Sequence, residues 1–273
     1  MEDKYLSIIT NFGCHYTCPY CIVKNNDLHI PKTTSQGLEN VLSAYEEHGC
    51  NIISLSGGGD PLWQWWNHPE WFELLFYYFS WTRIELHTSL LDMETPFLHR
   101  FYRIVYHCHD AIDILAIKRS HPKQKIRVVF VVTPDYTEQR IDKIYKIFKD
   151  SPEKIDELSF RQMVDDHYQA TNTCQEYLRK YHKDRWWYIE QNDYNLYYAE
   201  NRVYHEYAKI GKDEDHQEDH VGVKRGRWLF TDKGYLQKCS VCGKIEGNYD
   251  HDSHDIMCPH CGAIMEFWKQ VLT

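Results

Sequence analysis

The sequence predicts an α/β protein built on a parallel sheet covered by helices. Three observations carry that reading. Short β-branched runs alternate with longer amphipathic ones from residue 5 to about 163. The 273 residues are 42% hydrophobic, enough to bury a real core. The first two strand candidates each run straight into a loop rich in cysteine or glycine, and parallel α/β folds place their chemistry beyond the C-terminal ends of the strands.

Taken in order, "YLSIIT" reads as the first strand. Leu38, Val41, Leu42 and Tyr45 then recur at helical spacing, and Gly49 closes that helix. "NIISLS" is the second strand, a helix begins near Pro69, and "RIELHT" is the third strand. A helical stretch is predicted over 95–106, with "AIDILAIK" as strand four and "IRVVFVV" as strand five. Ile141, Ile144, Tyr145 and Phe148 stripe the next helix, and "IDELSFRQMV" supplies strand six. From 166 to 225 the composition changes to a Trp- and Tyr-rich tract and then an acidic run, read as a mostly helical extension and a solvated loop.

Lys and Arg number 31 against 40 Asp and Glu, a net charge of −9, which disfavours a long nucleic acid or an anionic membrane as partner. The first residues are charged and show no signal-peptide run. The most apolar window, 71–81, contains Glu73 and is shorter than the roughly 18 residues a span requires. A soluble, cytoplasmic protein is expected. Its ten cysteines should then stay reduced. Seven of them fall in two clusters, Cys14, Cys18 and Cys21, and Cys239, Cys242, Cys258 and Cys261, whereas Cys50, Cys108 and Cys174 read as isolated buried thiols. Clustered thiols in a reducing compartment point to metal.

The Cys-x3-Cys-x2-Cys loop after strand one, with aromatic Tyr20 just before its last cysteine, resembles the radical S-adenosylmethionine (SAM) superfamily. Three thiolates leave one iron of a four-iron four-sulfur (4Fe-4S) cluster open, as a catalytic zinc keeps a position for substrate. The resemblance implies that SAM's amino and carboxylate groups chelate this iron. An electron from the cluster then breaks the S–C5′ bond, and the 5′-deoxyadenosyl radical abstracts hydrogen from a substrate. A three-cysteine zinc site completed by His15 or a distant ligand is the other reading of the triplet.

"LSGGGDPLW" at the end of strand two resembles the superfamily's Gly-Gly-Glu-Pro motif, with Asp60 in place of Glu. Gly57, Gly58 and Gly59 let backbone approach a ligand, and the resemblance assigns this loop to the methionine amino group. It also implies SAM contacts from Thr88 and Ser89 after strand three, from Lys118 in "LAIKRS", and from Arg161 at strand six. Ala116 stands where the glycyl-radical activating branch carries Asp, and no Gly-x-Ile-x-Gly-x-x-Glu motif follows strand five. The resemblance implies a partial (β/α)6 barrel over 1–165, a substrate- or partner-specific extension over 166–225, and a separate module over 226–273.

In that last module the two Cys-x2-Cys knuckles are separated by residues 243–257, a structural zinc spacing that resembles zinc ribbons. An auxiliary iron–sulfur cluster is the rival occupant. The leading expectation is a radical SAM enzyme with a flavodoxin or ferredoxin as electron donor. Its substrate is taken as a small molecule, a nucleoside, a nucleotide or a modified base, on the strength of Trp186, Trp187, Tyr188, Tyr197 and Tyr198. Two other readings stand beside it: a glycyl-radical activase acting on a partner protein, suggested by "CPYC" and Lys118, and a non-catalytic zinc-binding module. The glycine loop with Asp60 argues against the last.

Overall fold

Six strands, β1 (Tyr5–Thr10), β2 (Ile52–Gly57), β3 (Arg83–Thr88), β4 (Arg103–Cys108), β5 (Lys125–Val132) and β6 (Glu157–Gln162), lie side by side in chain order, every pair parallel. The computed structural model describes residues 3–211 except 26, 31, 34–37, 92–94, 164–170, 172, 182–186, 191–194 and 200. Beyond 211 it describes short strands at 218–219, 225–226, 228–230, 236–239, 245–247, 256–257 and 264–265.

Right-handed crossovers between strands that follow in order all pass on one side of the sheet. The helices α1 (Ile22–Asn25), α2 (Leu38–Glu47), α3 (Pro69–Tyr78), α4 (Asp113–Ala116), α5 (Glu138–Lys149) and α6 (Gln175–Tyr181) make the connections. Val41 of α2, Phe72 of α3 and Ile144 of α5 share one core with alternate strand residues such as Leu55, Ile104 and Phe160. The sheet is thus singly wound, with its helices packed on one face. These six strands belong to a ten-stranded sheet that is open at its ends among the described residues.

Two expectations need correcting. Strand four is "RIVYHC", not "AIDILAIK", which forms the short α4. Asp113 decides this, because its Oδ2 accepts the backbone N–H groups of His109 at 2.7 Å and Asp110 at 2.8 Å and closes a turn there. The aromatic tract is not mostly helical either. It adds strands at both edges: β7 (Tyr188–Ile189) beside β6, and β8 (Leu196–Ala199), β9 (Arg202–Tyr204) and β10 (Glu218–Asp219) beyond β1. β8 and β9 meet at a two-residue hairpin in which Asn201 takes φ 64°, a left-handed conformation that Asn tolerates. Tyr188, Tyr197 and Tyr198 are buried, and Trp187 packs edge-on against Phe160 and Tyr145. These rings serve packing.

The alternate residues of β3–β6 point away from the helices, and near the strand starts they are charged. Arg103 Nη1 donates to Glu85 Oε2 at 2.7 Å, Arg103 Nη2 reaches Glu157 at 3.4 Å, and Arg127 meets Glu157 at 2.6 Å. The Glu85 and Arg103 side chains are only 4% and 6% exposed. Burial alone would raise the Glu85 carboxyl, but the His87 hydrogen bond and the charges of His87, Arg127 and Arg103 outweigh it and hold it at about 2 against 4.5.

Arg103→Met is expected to cost about 3–5 kcal/mol, because it strands a buried carboxylate; urea unfolding at pH 7 measures it. Glu85 has a depressed pKa, so its stabilisation is present above about pH 4.5 and is lost as pH falls toward 2. Over that window Glu85→Gln should flatten the acid limb of the stability curve.

Candidate functional site

At the C-terminal ends of β1, β2 and β3 three loops meet on one carboxylate. Asp60 follows β2 and is 4% exposed. Its Oδ1 accepts the Thr88 hydroxyl at 2.8 Å and the Leu62 N–H at 3.0 Å. Its Oδ2 accepts the Ser89 N–H at 2.7 Å and the Ser89 hydroxyl at 2.9 Å, with His15 Nε2 3.7 Å away. Burial would raise this carboxyl, yet the hydrogen bonds from His15, Ser89, Thr88 and Leu62 outweigh it and lower its pKa. Asp60 is therefore an ionised anchor whose oxygens are engaged by the protein itself.

The same residue ties down the cysteine loop. Its N–H donates to the Gly13 carbonyl at 2.9 Å, and the Gly58 N–H donates to Thr10 O at 2.7 Å. Gly13 has φ +98°, and a Cβ there would stand 3.0 Å from the Trp63 ring. At Gly59 a Cβ would lie 2.1 Å from the Gly13 carbonyl oxygen. This glycine is required by contact between two loops. His15, the residue after Cys14, shares a 2.9 Å hydrogen bond with Ser89 Oγ and stacks on Trp63.

Cys14 is exposed, Cys18 and Cys21 are half-buried, and all three are free thiols. The Cys21 N–H donates to Cys18 O at 3.2 Å, and α1 starts at the next residue. Burial raises the Cys18 pKa, and negative charge on Cys14 and Cys21 raises it further. The three sulfurs therefore share one neighbourhood. Tyr20 Oη is 2.9 Å from His109 Nδ1, and Tyr16 stacks on the same imidazole, which fastens the loop to the end of β4. Burial also pushes the Tyr20 phenol well above its usual range. Among the described residues no group of three or more His, Cys, Asp or Glu is gathered to hold a single metal ion.

The other predicted residues scatter. Gly57 O accepts the Tyr207 hydroxyl at 2.7 Å, so residue 207, after β9, reaches back to the glycine loop. Arg161 lies on the helix-free face of β6, half-buried, where its charge acts on His107 and Tyr207. Lys118 is exposed and follows α4 and not strand four, because that strand lies earlier than expected. Cys242, Cys258 and Cys261 lie outside the described residues, and Cys239 ends a short strand. Sequence reasoning missed His87, His107 and Tyr207. The period-two alternation in "RIELHT" and "RIVYHC" carries the signal for the first two. Nothing local marks Tyr207.

No family model and no curated protein matches the chain. Among solved structures it is similar to SuiB of Streptococcus suis, solved bound to the precursor peptide SuiA. The TM-score is 0.54 at 13% sequence identity, with 78% of this chain and 61% of SuiB covered. At that identity the likeness is one of fold alone. The chain spans less than two thirds of its neighbour. No helix among the described residues is long and apolar enough to cross a membrane.

Asp60→Ala should cost about 3 kcal/mol, because buried donors on two loops lose their acceptor; chemical denaturation checks it. Gly59→Ala should displace the cysteine loop and lower the reactivity difference among its thiols, read by maleimide labelling rates at Cys14 against Cys18.

Proposed function

We propose that this chain is a radical SAM enzyme in which Cys14, Cys18 and Cys21 hold a 4Fe-4S cluster. The observation that carries the reading is the junction at Asp60. It locks a loop bearing three free, mutually sensed thiols against a triple-glycine loop at the C-terminal ends of adjacent parallel strands. Three thiols and no fourth suit a cluster with one open iron, and the radical SAM-like fold supports the same assignment. When bound, the cluster and SAM supply a one-electron cleavage that generates a 5′-deoxyadenosyl radical for hydrogen abstraction.

The chain's own residues orient and exclude. The backbone of Gly57, Gly58 and Gly59 would hold the SAM methionine moiety, and Asp60 acts by fixing that backbone and Ser89 in place. Tyr20 and His109 hold the cysteine loop, and Arg161 would contact the adenosine part of SAM. Cys239, Cys242, Cys258 and Cys261 are proposed to hold one structural zinc, and a flavodoxin or ferredoxin to deliver the electron. A peptide or a small molecule is the substrate class this reading favours, since SuiB was solved with a peptide and the tyrosines proposed to stack on a base are buried. The activase reading is not favoured: Lys118 follows α4 and not a strand, which leaves "CPYC" as its support.

Purified anaerobically and reconstituted, the protein should carry about four irons per chain beyond its zinc and, with dithionite, convert SAM to 5′-deoxyadenosine. Replacing Cys14, Cys18 and Cys21 together by Ala should remove the iron and the product while one zinc per chain remains. Zinc in place of iron at the triplet in iron-replete protein would overturn the reading.

A further inference from the structure

Between the buried charges near the strand starts and the loops at the strand ends, the helix-free face carries two histidines in contact. His87 on β3 and His107 on β4 place Nδ1 and Nε2 3.1 Å apart. His87 Nε2 lies 2.8 Å from Glu85 Oε1, and Arg103 donates to the other Glu85 oxygen at 2.7 Å. The 87 and 107 rings are half-buried, whereas Glu85 and Arg103 beneath them are buried. His107 Nδ1 has no hydrogen-bond partner among the described residues, so a chain of contacts runs from a buried ion pair through two imidazoles to one ring nitrogen.

The proton count along this chain is constrained. Glu85 is ionised, so His87 Nε2 carries a hydrogen that it donates to the carboxylate. One hydrogen lies between the two rings. With both rings neutral, it belongs to His107 Nε2, and His107 Nδ1 is a bare acceptor. A proton arriving at His107 Nδ1 allows the Nε2 hydrogen to pass to His87 Nδ1. The positive charge then rests on His87, against Glu85, and His107 is neutral again in the opposite tautomer. Burial, with the charges of His87 and Arg161 nearby, lowers the His107 pKa to about 3, so the positive charge is favoured on His87 beside Glu85 over His107.

We propose that His107 is a general base of the active site, taking a proton at Nδ1 and relaying charge through His87 to Glu85. This rests on the radical SAM reading above and deepens it by naming a substrate class: one bearing an O–H or N–H beside the carbon that loses hydrogen. A carbon radical acidifies such a neighbour. In the step, the substrate X–H bond breaks and Nδ1–H forms, the His107 Nε2–H bond breaks and His87 Nδ1–H forms, and no electron is exchanged with the protein. The charged and titratable groups facing the dyad are Glu85, Arg103, Arg127, Arg161, Asp60 and His109. His107 is the catalytic residue, and His87 and Glu85 position it.

Long-range proton–nitrogen NMR on 15N-histidine-labelled holoprotein, assigned with single His→Gln variants, reads the relay without a substrate. Lowering pH should produce one shared titration in which His87 gains the second proton and His107 changes tautomer while staying neutral. Glu85→Gln removes the charge that holds the imidazolium, so the shared pKa should fall by about one unit or more. Should that variant fail to fold, His87→Gln serves instead and should abolish the tautomer change at His107. Imidazolium appearing on His107, or two independent titrations, overturns the relay. Failure of the parent protein to cleave SAM would count against the radical SAM reading and leave the NMR result to decide the relay.

Discussion

One buried carboxylate holds the functional end of this molecule together. Asp60 binds the hydroxyls of Thr88 and Ser89 and two backbone N–H groups, while its own N–H holds Gly13. Without its side chain the cysteine loop and the end of β3 keep, among the described residues, only the His15–Ser89 hydrogen bond between them. A carboxylate can satisfy so many donors because it offers about four acceptor sites, and its burial is tolerated because all of them are used. The side chain is one methylene shorter than the Glu of the resembling motif, and it turns back into the protein.

A second constraint follows from single winding. Helices on one side of the sheet leave the other side without an apolar cover, and the chain handles its two halves differently. Beside β1 and β8, Ile9, Leu28, Ile30, Tyr197, Tyr207 and Ile210 form a small second core. Across β3–β6 the same face carries Glu85, Arg103, Arg127 and Glu157 in mutual contact. Buried ion pairs of this kind seldom add much net stability. Their value here is a fixed polar floor that sets the orientation of His87 and, through it, of His107.

Most of the parallel sheet was legible in the sequence because its strands are β-branched runs separated by helical periodicity, as in "YLSIIT", "NIISLS" and "RVVFVV". Strand four escaped because "AIDILAIK" is as apolar as "RIVYHC", and only a side chain–backbone turn at Asp113 separates them. The strands of the aromatic tract escaped for a different reason. β8 pairs with β1 across about 190 residues, and no local pattern encodes such a partner. The cysteine and glycine loops were legible as motifs, but their physical junction was not. That Gly59 serves the Gly13 carbonyl, and that Asp60 faces inward, are facts of tertiary contact.

The central claim, an open-iron cluster on Cys14, Cys18 and Cys21 that takes SAM as a ligand, is tested most directly by electron paramagnetic resonance of the anaerobically reduced protein. The account predicts a reduced four-iron four-sulfur signal that is absent when the three cysteines are replaced and whose g values move on adding SAM. A signal unmoved by saturating SAM, or no iron–sulfur signal from iron-loaded protein, would contradict it.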